Sequence, residues 1–364
     1  MIMPDSTVSQ IFVSVLEVPF EKPITSALGT YIGSDYVVVE LQTTDGIVGY
    51  GYTMSLDRRG TKAVVSYIEN ELTPLALRQD VKRPTALWQR MWSPNKARMR
   101  GGVGVHALSA VDTAVWDAAA KTAGLPLGIM LGGSRKKVPA YGSGGWLSME
   151  DNELIEEAQN HAEKGISAYK LKIGGKRDKA RLKLLRREMG DAFTLYVDAN
   201  QKFNVADAVK ASEWLSDFDV AWLEEPVLAD CPWELEEVAA ATDIPIAAGE
   251  NVYFAWGFRD LCDRQAASYL QPDIGRCGGV TEWIKIAKMA KTHNLKLTSH
   301  LLHEVSTCLV GAFSSGFAVE HMNFFTKNPF TNDFTVKNGF ITLPDVSGHG
   351  VEFCKMARKV FTIY

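Results

Sequence analysis

Several features that commonly announce a function are missing from this 364-residue chain. Its five cysteines (Cys231, Cys262, Cys277, Cys308, Cys354) are odd in number and form no C-x-x-C pair. That spacing excludes a disulfide framework and a cysteine zinc cluster, and it predicts buried thiols in a reducing compartment. No uninterrupted apolar run reaches the roughly 18 residues a membrane span requires. Met1–Val13 lacks a basic segment followed by an apolar one, so no secretory leader is expected and the expected location is cytoplasmic. Positive charge is not in excess either: 39 Lys and Arg face 43 Asp and Glu, a net −4. That balance argues against holding nucleic acid by phosphate neutralisation. No Ser-His-Asp or Cys-His arrangement suggests a covalent nucleophile. Gly101-Gly102-Val103-Gly104 follows a basic loop and no strand, which removes the context a dinucleotide site needs. The basic run Lys176–Arg187 reads as a solvated helix face.

What remains is a globular chain, 46% hydrophobic and 23% charged. Ile11–Val18 and Tyr36–Thr43 are rich in β-formers, and Ile47–Tyr52 follows Thr44-Asp45-Gly46, a strong hairpin signal. Thr61–Leu77, Pro84–Met91 and His106–Ala123 carry helical spacing, the last stopped by Gly124. Residues 1–130 therefore read as an α+β unit. Beyond it, short apolar strands begin near Val138, Ala168, Thr194, Ala221, Ile244, Tyr269, Lys296 and Ala318. Helical segments alternate with them (Asn152–Lys164, Lys179–Met189, Val205–Phe218, Glu234–Thr242, Ala255–Arg264, Val280–Asn294). Alternation of this kind means a parallel sheet, and eight strands favour a (β/α)8 barrel over an open sheet. The expected division is a cap at 1–130, a barrel at 131–328 and a tail at 329–364 that packs back on the cap.

The informative feature is a beat. Lys172, Asp198, Glu224, Glu250, Asp273, His300 and Glu320 follow successive strands at gaps of 26, 26, 26, 23, 27 and 20 residues. A barrel gathers strand ends on one face, so these side chains are expected to converge. Any one acid could simply cap the helix after it. Three anions at adjacent strand ends, Asp198, Glu224 and Glu250, would repel one another unless a cation lay among them. An all-oxygen set selects a hard ion, Mg²⁺ or Mn²⁺, over zinc. Lys170 and Lys172 share one face of a strand, and a second ammonium should depress the pKa of Lys172 toward that of a useful base. Asp273 beside His300 would fix the imidazole tautomer and make an acid–base dyad.

The ordered set Lys170-x-Lys172, Val197-Asp198-x-Asn200, Glu224-Glu225-Pro226, Gly249-Glu250-Asn251, Gln271-Pro272-Asp273, Gly278-Gly279-Val280-Thr281 and Ser299-His300 resembles the enolase superfamily, specifically its mandelate racemase subgroup. The likeness extends to Val18-Pro19-Phe20 and Thr44–Gly51, and so to essentially the whole chain. It implies an α/β fold: a modified (β/α)8 TIM barrel of the (β/α)7β type under an N-terminal α+β capping domain. It further implies Mg²⁺ on Asp198, Glu224 and Glu250, and removal of the proton α to a substrate carboxylate by Lys172 on one face or His300 on the other. Glu320 would be a protonated acid bonded to that carboxylate, which Lys170 would also contact. Ser143 and Asn200 would hold substrate or metal-site geometry. A loop from Phe20 to Ser34 would close over the substrate, with Ile24, Leu28, Tyr31, Leu301 and Met322 lining the pocket.

That apolar lining suits a racemase or epimerase of a 2-hydroxy acid. Arg58, Arg59, Lys96, Arg98 and His303, with the strand end Tyr141-Gly142-Ser143-Gly144-Gly145-Trp146, suit an acid-sugar dehydratase better. The resemblance thus points to dehydration of an aldonate or aldarate to a 2-keto-3-deoxy acid, ahead of racemisation. A noncatalytic binding relative would lack a ligand or a base, and none of the seven is missing. The expected partners are a small-molecule carboxylate and further copies of the chain, as dimer to octamer, with no nucleic acid or membrane.

Overall fold

The computed structural model describes residues 6–322, 324, 325 and 328–363. Residues 1–5, which begin the leader reading, and 323, 326, 327 and 364, which fall in the expected domain ranges, lie outside the described residues. The chain opens with an antiparallel sheet of β1 (Val8–Ser26), β2 (Gly29–Thr43) and β3 (Val48–Leu56) in that spatial order. The Asp45-Gly46 hairpin forms as expected, with Gly46 at φ 85°. The expected covering loop at Phe20–Ser34 is instead a continuation of β1 and β2, which pair to their tip at Ser26 and Gly29. Four helices follow: α1 (Thr61–Tyr67), α2 (Thr73–Ala76), α3 (Pro84–Trp92) and α4 (Val103–Thr122). A π-helical turn at Ile68–Leu72 joins the first two into one run.

Helix α4 is the pillar of this unit. Sixteen of its twenty residues are buried, because the β2–β3 sheet covers one side and the barrel the other. On the sheet side β3 approaches the helix backbone itself. A Cβ at Gly49 would stand 2.1 Å from the Ala114 carbonyl, and one at Gly51 2.1 Å from that of Ala110. On the barrel side, Asp112 accepts hydrogen bonds from Thr281 N and Oγ1, each at 2.8 Å. Trp116 Nε1 donates to Thr281 Oγ1 at 2.9 Å, and Ser109 Oγ accepts from Gly278 N at 2.9 Å. Gly278-Gly279-Val280-Thr281 is therefore the clasp between the two units. Gly279 sits at φ 83° with Asp112 where a Cβ would go.

After a short α5 (Leu127–Met130), the barrel alternates strand and helix. It runs β4 (Lys137–Gly144), α6 (Asp151–Glu163), β5 (Ala168–Lys172), α7 (Asp178–Met189), β6 (Thr194–Asp198), α8 (Val205–Leu215) and β7 (Val220–Glu224). It continues with α9 (Pro232–Ala240), β8 (Ile246–Ala248), α10 (Phe254–Asp263), β9 (Tyr269–Leu270), α11 (Val280–Thr292), β10 (Lys296–Leu297), α12 (His303–Ala312) and β11 (Val319–His321). Strands β4 to β10 pair in parallel order, Leu297 bridges Gly316, and β11 pairs back with β4, closing the barrel. Helix α12 was not expected. Nine of its ten residues are buried, which erases the polar–apolar stripe that marks a surface helix. One end of the interior is plugged by aromatics: Tyr196 stacks on Trp222 at 3.5 Å, and Tyr141 meets that indole edge-on at 5.2 Å.

In the tail, β12 (Val336–Lys337) and β13 (Phe340–Thr342) form a hairpin that pairs with the start of β4, a barrel strand. The chain then reaches the cap. His349 is fully enclosed between Asp117 and the Tyr50 carbonyl, and Thr362, after α13 (Lys355–Phe361), bridges Leu16. No helix among the described residues is long and apolar enough to cross a membrane.

The contact of β3 with α4 leaves no room for a methyl group. Gly51→Ala is expected to destabilise the fold by about 1–3 kcal/mol, read as a lower denaturation midpoint at unchanged slope.

Candidate active site

Side chains alternate along a strand, so the residues two beyond the aromatic plug point the same way it does. Tyr196 is followed by Asp198, and Trp222 by Glu224. Register then sets neighbours: Lys172 is level with Asp198, and Asp198 with Glu224. Glu250, two residues past β8, completes the group. Oxygens of Asp198, Glu224 and Glu250 all lie within 4.8 Å of one another, and all three residues are buried.

The two lysines stitch this cluster together. Lys170 Nζ lies 2.5 Å from Glu224 Oε1, 2.8 Å from Glu320 Oε1 and 3.8 Å from Asp198 Oδ2. Lys172 Nζ lies 2.5 Å from Asp198 Oδ2 and 5.2 Å from the centre of the Trp146 ring. Burial pushes the carboxyls up, and the outcome differs at each. Glu224 reaches about 8, its burial outweighing Lys170, with Asp198 and Glu320 adding repulsion. Asp198 is held below the ordinary carboxylate range by Lys172 and Lys170 despite its burial.

Two sequence-based expectations are corrected here. Lys172 was expected to be depressed by Lys170. Burial and Lys170 do pull it down, but the Asp198 carboxylate in direct contact outweighs them and the amine is raised. Glu320 was expected to be protonated. Burial favours that, but Lys170 at 2.8 Å, with His300 and Lys172, drives it far below its usual range. Ionised Glu320 also accepts from Leu301 N at 2.7 Å. Leu301 adopts φ 44° and Asn200, whose N donates to Asp198 Oδ1 at 2.8 Å, also φ 44°. Left-handed backbone at such residues costs about 1–3 kcal/mol and is characteristic of functional sites.

Asp273 and His300 meet as expected, with His300 Nδ1 2.7 Å from Asp273 Oδ2. His300 Nε2 lies 3.2 Å from Glu250 Oε2. Burial lowers the imidazole pKa, but Glu250 and Asp273 more than offset it, and His300 is raised. Arg276, one turn beyond Asp273, places Nε 3.2 Å from the same Asp273 oxygen.

Above the cluster is a cavity of about 370 Å³. Lys172, Asn200, Glu250, His300, Leu301, Glu320 and Met322 line it from the barrel, and Leu28 and Tyr31 from the cap hairpin. Asp198, Glu224 and Lys170 are fully buried beneath it. Ser143 and Ile24 are not brought to this cavity. They line a neighbouring one of about 470 Å³, and Trp146 stands in the wall between the two. Of the polar residues expected from the cap, Arg59 alone reaches the cavity. Arg58 pairs with Glu17, and His303 is buried against His321.

Four residues at the site escaped the sequence reading. Glu225 is a further buried carboxyl, beside the trio, bonded by Asn251 Nδ2 at 2.8 Å and Gln201 Nε2 at 3.2 Å. Burial, with Glu250, Asp198 and Glu224 around it, raises it well above the ordinary range. Gln271 donates to Glu224 Oε2 at 2.8 Å. Their signal was adjacency, in Glu224-Glu225-Pro226 and Gln271-Pro272-Asp273. Arg276 and His106 carried none, since nothing local distinguishes them from surface residues.

Comparison with known proteins identifies the family. The mandelate racemase / muconate lactonizing enzyme N-terminal domain profile matches residues 10–132, and the enolase C-terminal domain-like profile matches residues 153–357. The chain is 30% identical to the 3,6-anhydro-alpha-L-galactonate cycloisomerase of Streptomyces coelicolor over 96% of its length and 99% of that protein. It is 30% identical to the L-talarate/galactarate dehydratase of Salmonella typhimurium, covering 93% and 84%. A racemase from Streptomyces coelicolor, solved with bound magnesium, superposes with a TM-score of 0.94 at 28% identity, covering 98% of this chain and all of that one. Matched in both halves, the chain belongs to the mandelate racemase / muconate lactonizing enzyme family and is an enzyme of the enolase superfamily.

Proposed function

We propose that this enzyme removes the proton α to the carboxylate of an acid sugar and expels the β-hydroxyl, releasing a 2-keto-3-deoxy acid. One observation carries the reading: a buried carboxylate trio lies between Lys172, on the second barrel strand, and the Asp273–His300 dyad, at the ends of the sixth and seventh. The donor set fits a hard divalent ion. It is all oxygen and too crowded to stay fully ionised alone. Asp198, Glu224 and Glu250 would therefore hold Mg²⁺, as relatives of this fold do. Bound there, the ion supplies charge neutralisation for the substrate carboxylate and for the enolate developing beside it.

Lys172 takes the α-proton from one face. It can act as a base only when the Asp198 carboxylate is drawn away, leaving the Lys170 ammonium to lower its proton affinity. His300, oriented through Nδ1 by Asp273, delivers a proton from Nε2 to the departing hydroxyl as the carbon–oxygen bond breaks. Glu320 stays ionised on Lys170 and Leu301 N, which makes it an orienting acceptor and no longer the proton donor expected from sequence.

A racemase is the second reading, favoured by the apolar wall of Leu28, Leu301, Met322 and Phe324. Arg59, His106, Asn251 and Arg276 on the remaining wall favour a polyhydroxylated substrate instead. Incubating the Mg²⁺-loaded protein with acid sugars and mandelate in D₂O separates the outcomes. A 2-keto-3-deoxy product supports dehydration; deuterium exchange with loss of optical rotation supports racemisation; no exchange on any carboxylate defeats both.

Lys172→Ala and His300→Asn are each expected to lower turnover by about 10²–10⁴-fold with the fold intact by circular dichroism, the range for loss of an acid–base group. Glu224→Gln is expected to weaken Mg²⁺ binding by at least about tenfold in a calorimetric titration. Wild-type affinity in that variant would remove Glu224 from the ligand set.

A further inference from the structure

The neighbouring cavity of about 470 Å³, between the cap hairpin and α6, has the size of a small-molecule site and takes no part in proton abstraction. Trp146 separates it from the catalytic cavity. Its walls are of two kinds. Trp146, Phe20 and Phe324 supply aromatic surface, the last two stacked at 4.9 Å. His161 on α6, His321 on β11 and Ser143 on β4 supply polar groups, each at most 8% exposed. The His161 imidazole fits against β4 because Gly142 has no side chain; a Cβ there would stand 2.5 Å from the ring. Nδ1 of His161, Nδ1 of His321 and Ser143 Oγ are buried and form no hydrogen bond among the described residues. Such unpaired groups cost stability, and three of them around one cavity mark a place where a ligand completes the bonding. Both imidazoles are neutral. Burial, with His321 and Lys164 nearby, pushes His161 down to about 3, and burial, with His303 and Lys164 nearby, does the same to His321. Glu157 adds a carboxyl to the wall, its Oε2 accepting from Gly145 N at 2.8 Å and from the Tyr169 hydroxyl. The lysines, Lys22 and Lys164, are exposed at the rim, and Lys22 is paired with Glu153.

We propose that this cavity is a second binding site, for a neutral polyhydroxylated ring of the pyranose kind, with His161 and His321 bonding its hydroxyls and the aromatic walls covering its C–H faces. A neutral imidazole offers one donor and one acceptor, and a hydroxyl is both, so the pairing closes in either tautomer. An aromatic face is electron-rich and suits the weakly positive C–H side of a sugar ring. An anion would instead meet the Glu157 carboxyl with no cation in the inner wall to offset it. Such a ring has two sources: a free neutral sugar, or a glycosyl group joined to an acid whose carboxylate lies in the catalytic cavity. Only the second source rests on the acid-sugar reading.

Calorimetry on the Mg²⁺-loaded protein tests the site. The methyl glycosides of galactose, glucose and mannose are titrated first. Lactobionate, a galactosyl gluconate, is then compared with gluconate on the His300→Asn protein, so that turnover adds no heat. Saturable binding of a glycoside, with Kd on the order of 1 mM for a ligand of about a dozen heavy atoms, supports the free sugar. Lactobionate binding at least tenfold tighter than gluconate supports the glycosyl group. His161→Phe keeps a buried ring and should weaken whichever binds by about 3- to 10-fold, the worth of one or two neutral hydrogen bonds. Should that variant fail to fold, Asn160→Trp at the exposed rim decides, with an expected loss of at least tenfold. The site is overturned if none of the three glycosides binds and lactobionate matches gluconate. It is overturned equally by binding that the folded variants leave unchanged, or by cyclohexylmethanol binding as tightly as the glycosides, the sign of a merely apolar cavity. All of these are binding measurements, so a protein that dehydrates no acid sugar can still hold the site, and a protein without the site can still be a dehydratase.

Discussion

The organising constraint of this molecule is unbalanced buried charge. Six carboxyl groups (Asp198, Glu224, Glu225, Glu250, Asp273, Glu320) are buried at the strand ends of one barrel, against three fixed cations, Lys170, Lys172 and Arg276. Taking that many like charges out of water is costly unless each is paired or the group shares a cation. The structure meets part of the cost with protein groups: Lys170 serves three carboxylates, Gln271 one, and Asn251 and Gln201 a fourth. What is left over is concentrated on Asp198, Glu224 and Glu250, where a divalent ion would complete the balance. Proton affinities follow from the same imbalance: Glu224 and Glu225 are pushed up, Asp198 and Glu320 down, and Lys172 and His300 raised.

The surroundings of the cluster hold it in register. The Tyr196–Trp222 stack blocks the barrel behind it, and the cap closes the front. The cap is positioned by α4, whose Asp112, Trp116 and Ser109 clasp Gly278–Thr281, directly downstream of Asp273 and Arg276. The segment that carries Asp273 is thus also the segment that locates the cap. Left-handed backbone occurs here too, at Asn200 and Leu301, whose amides turn onto the Asp198 and Glu320 carboxylates.

Legibility in the sequence follows the range of the interaction. Asp198, Glu224, Glu250, Asp273 and His300 were found because each ends an apolar strand, a local pattern repeated at a regular interval. The Asp45-Gly46 hairpin and most barrel helices were legible for the same reason. Helix α12 was not, because full burial on every side removes the amphipathic period. The Phe20–Ser34 segment read as a loop because its strand pairing lies with itself across a short tip, among residues of mixed character. Ser143 and Ile24 matched the family pattern yet line a different cavity, since Trp146 stands in between.

The sequence by itself determined the architecture, the family and the set of strand-end residues. Period-two and period-3.6 patterns report local geometry, and a barrel converts a regular spacing into convergence. Only the tertiary structure decided the direction in which Lys172 and Glu320 shift, the full burial of Lys170, and the presence of Arg276, His106 and Arg59 in the cavity lining. Those depend on which charge stands within a few ångströms of which. Such distances are set between chain segments far apart in sequence, where no local pattern records them.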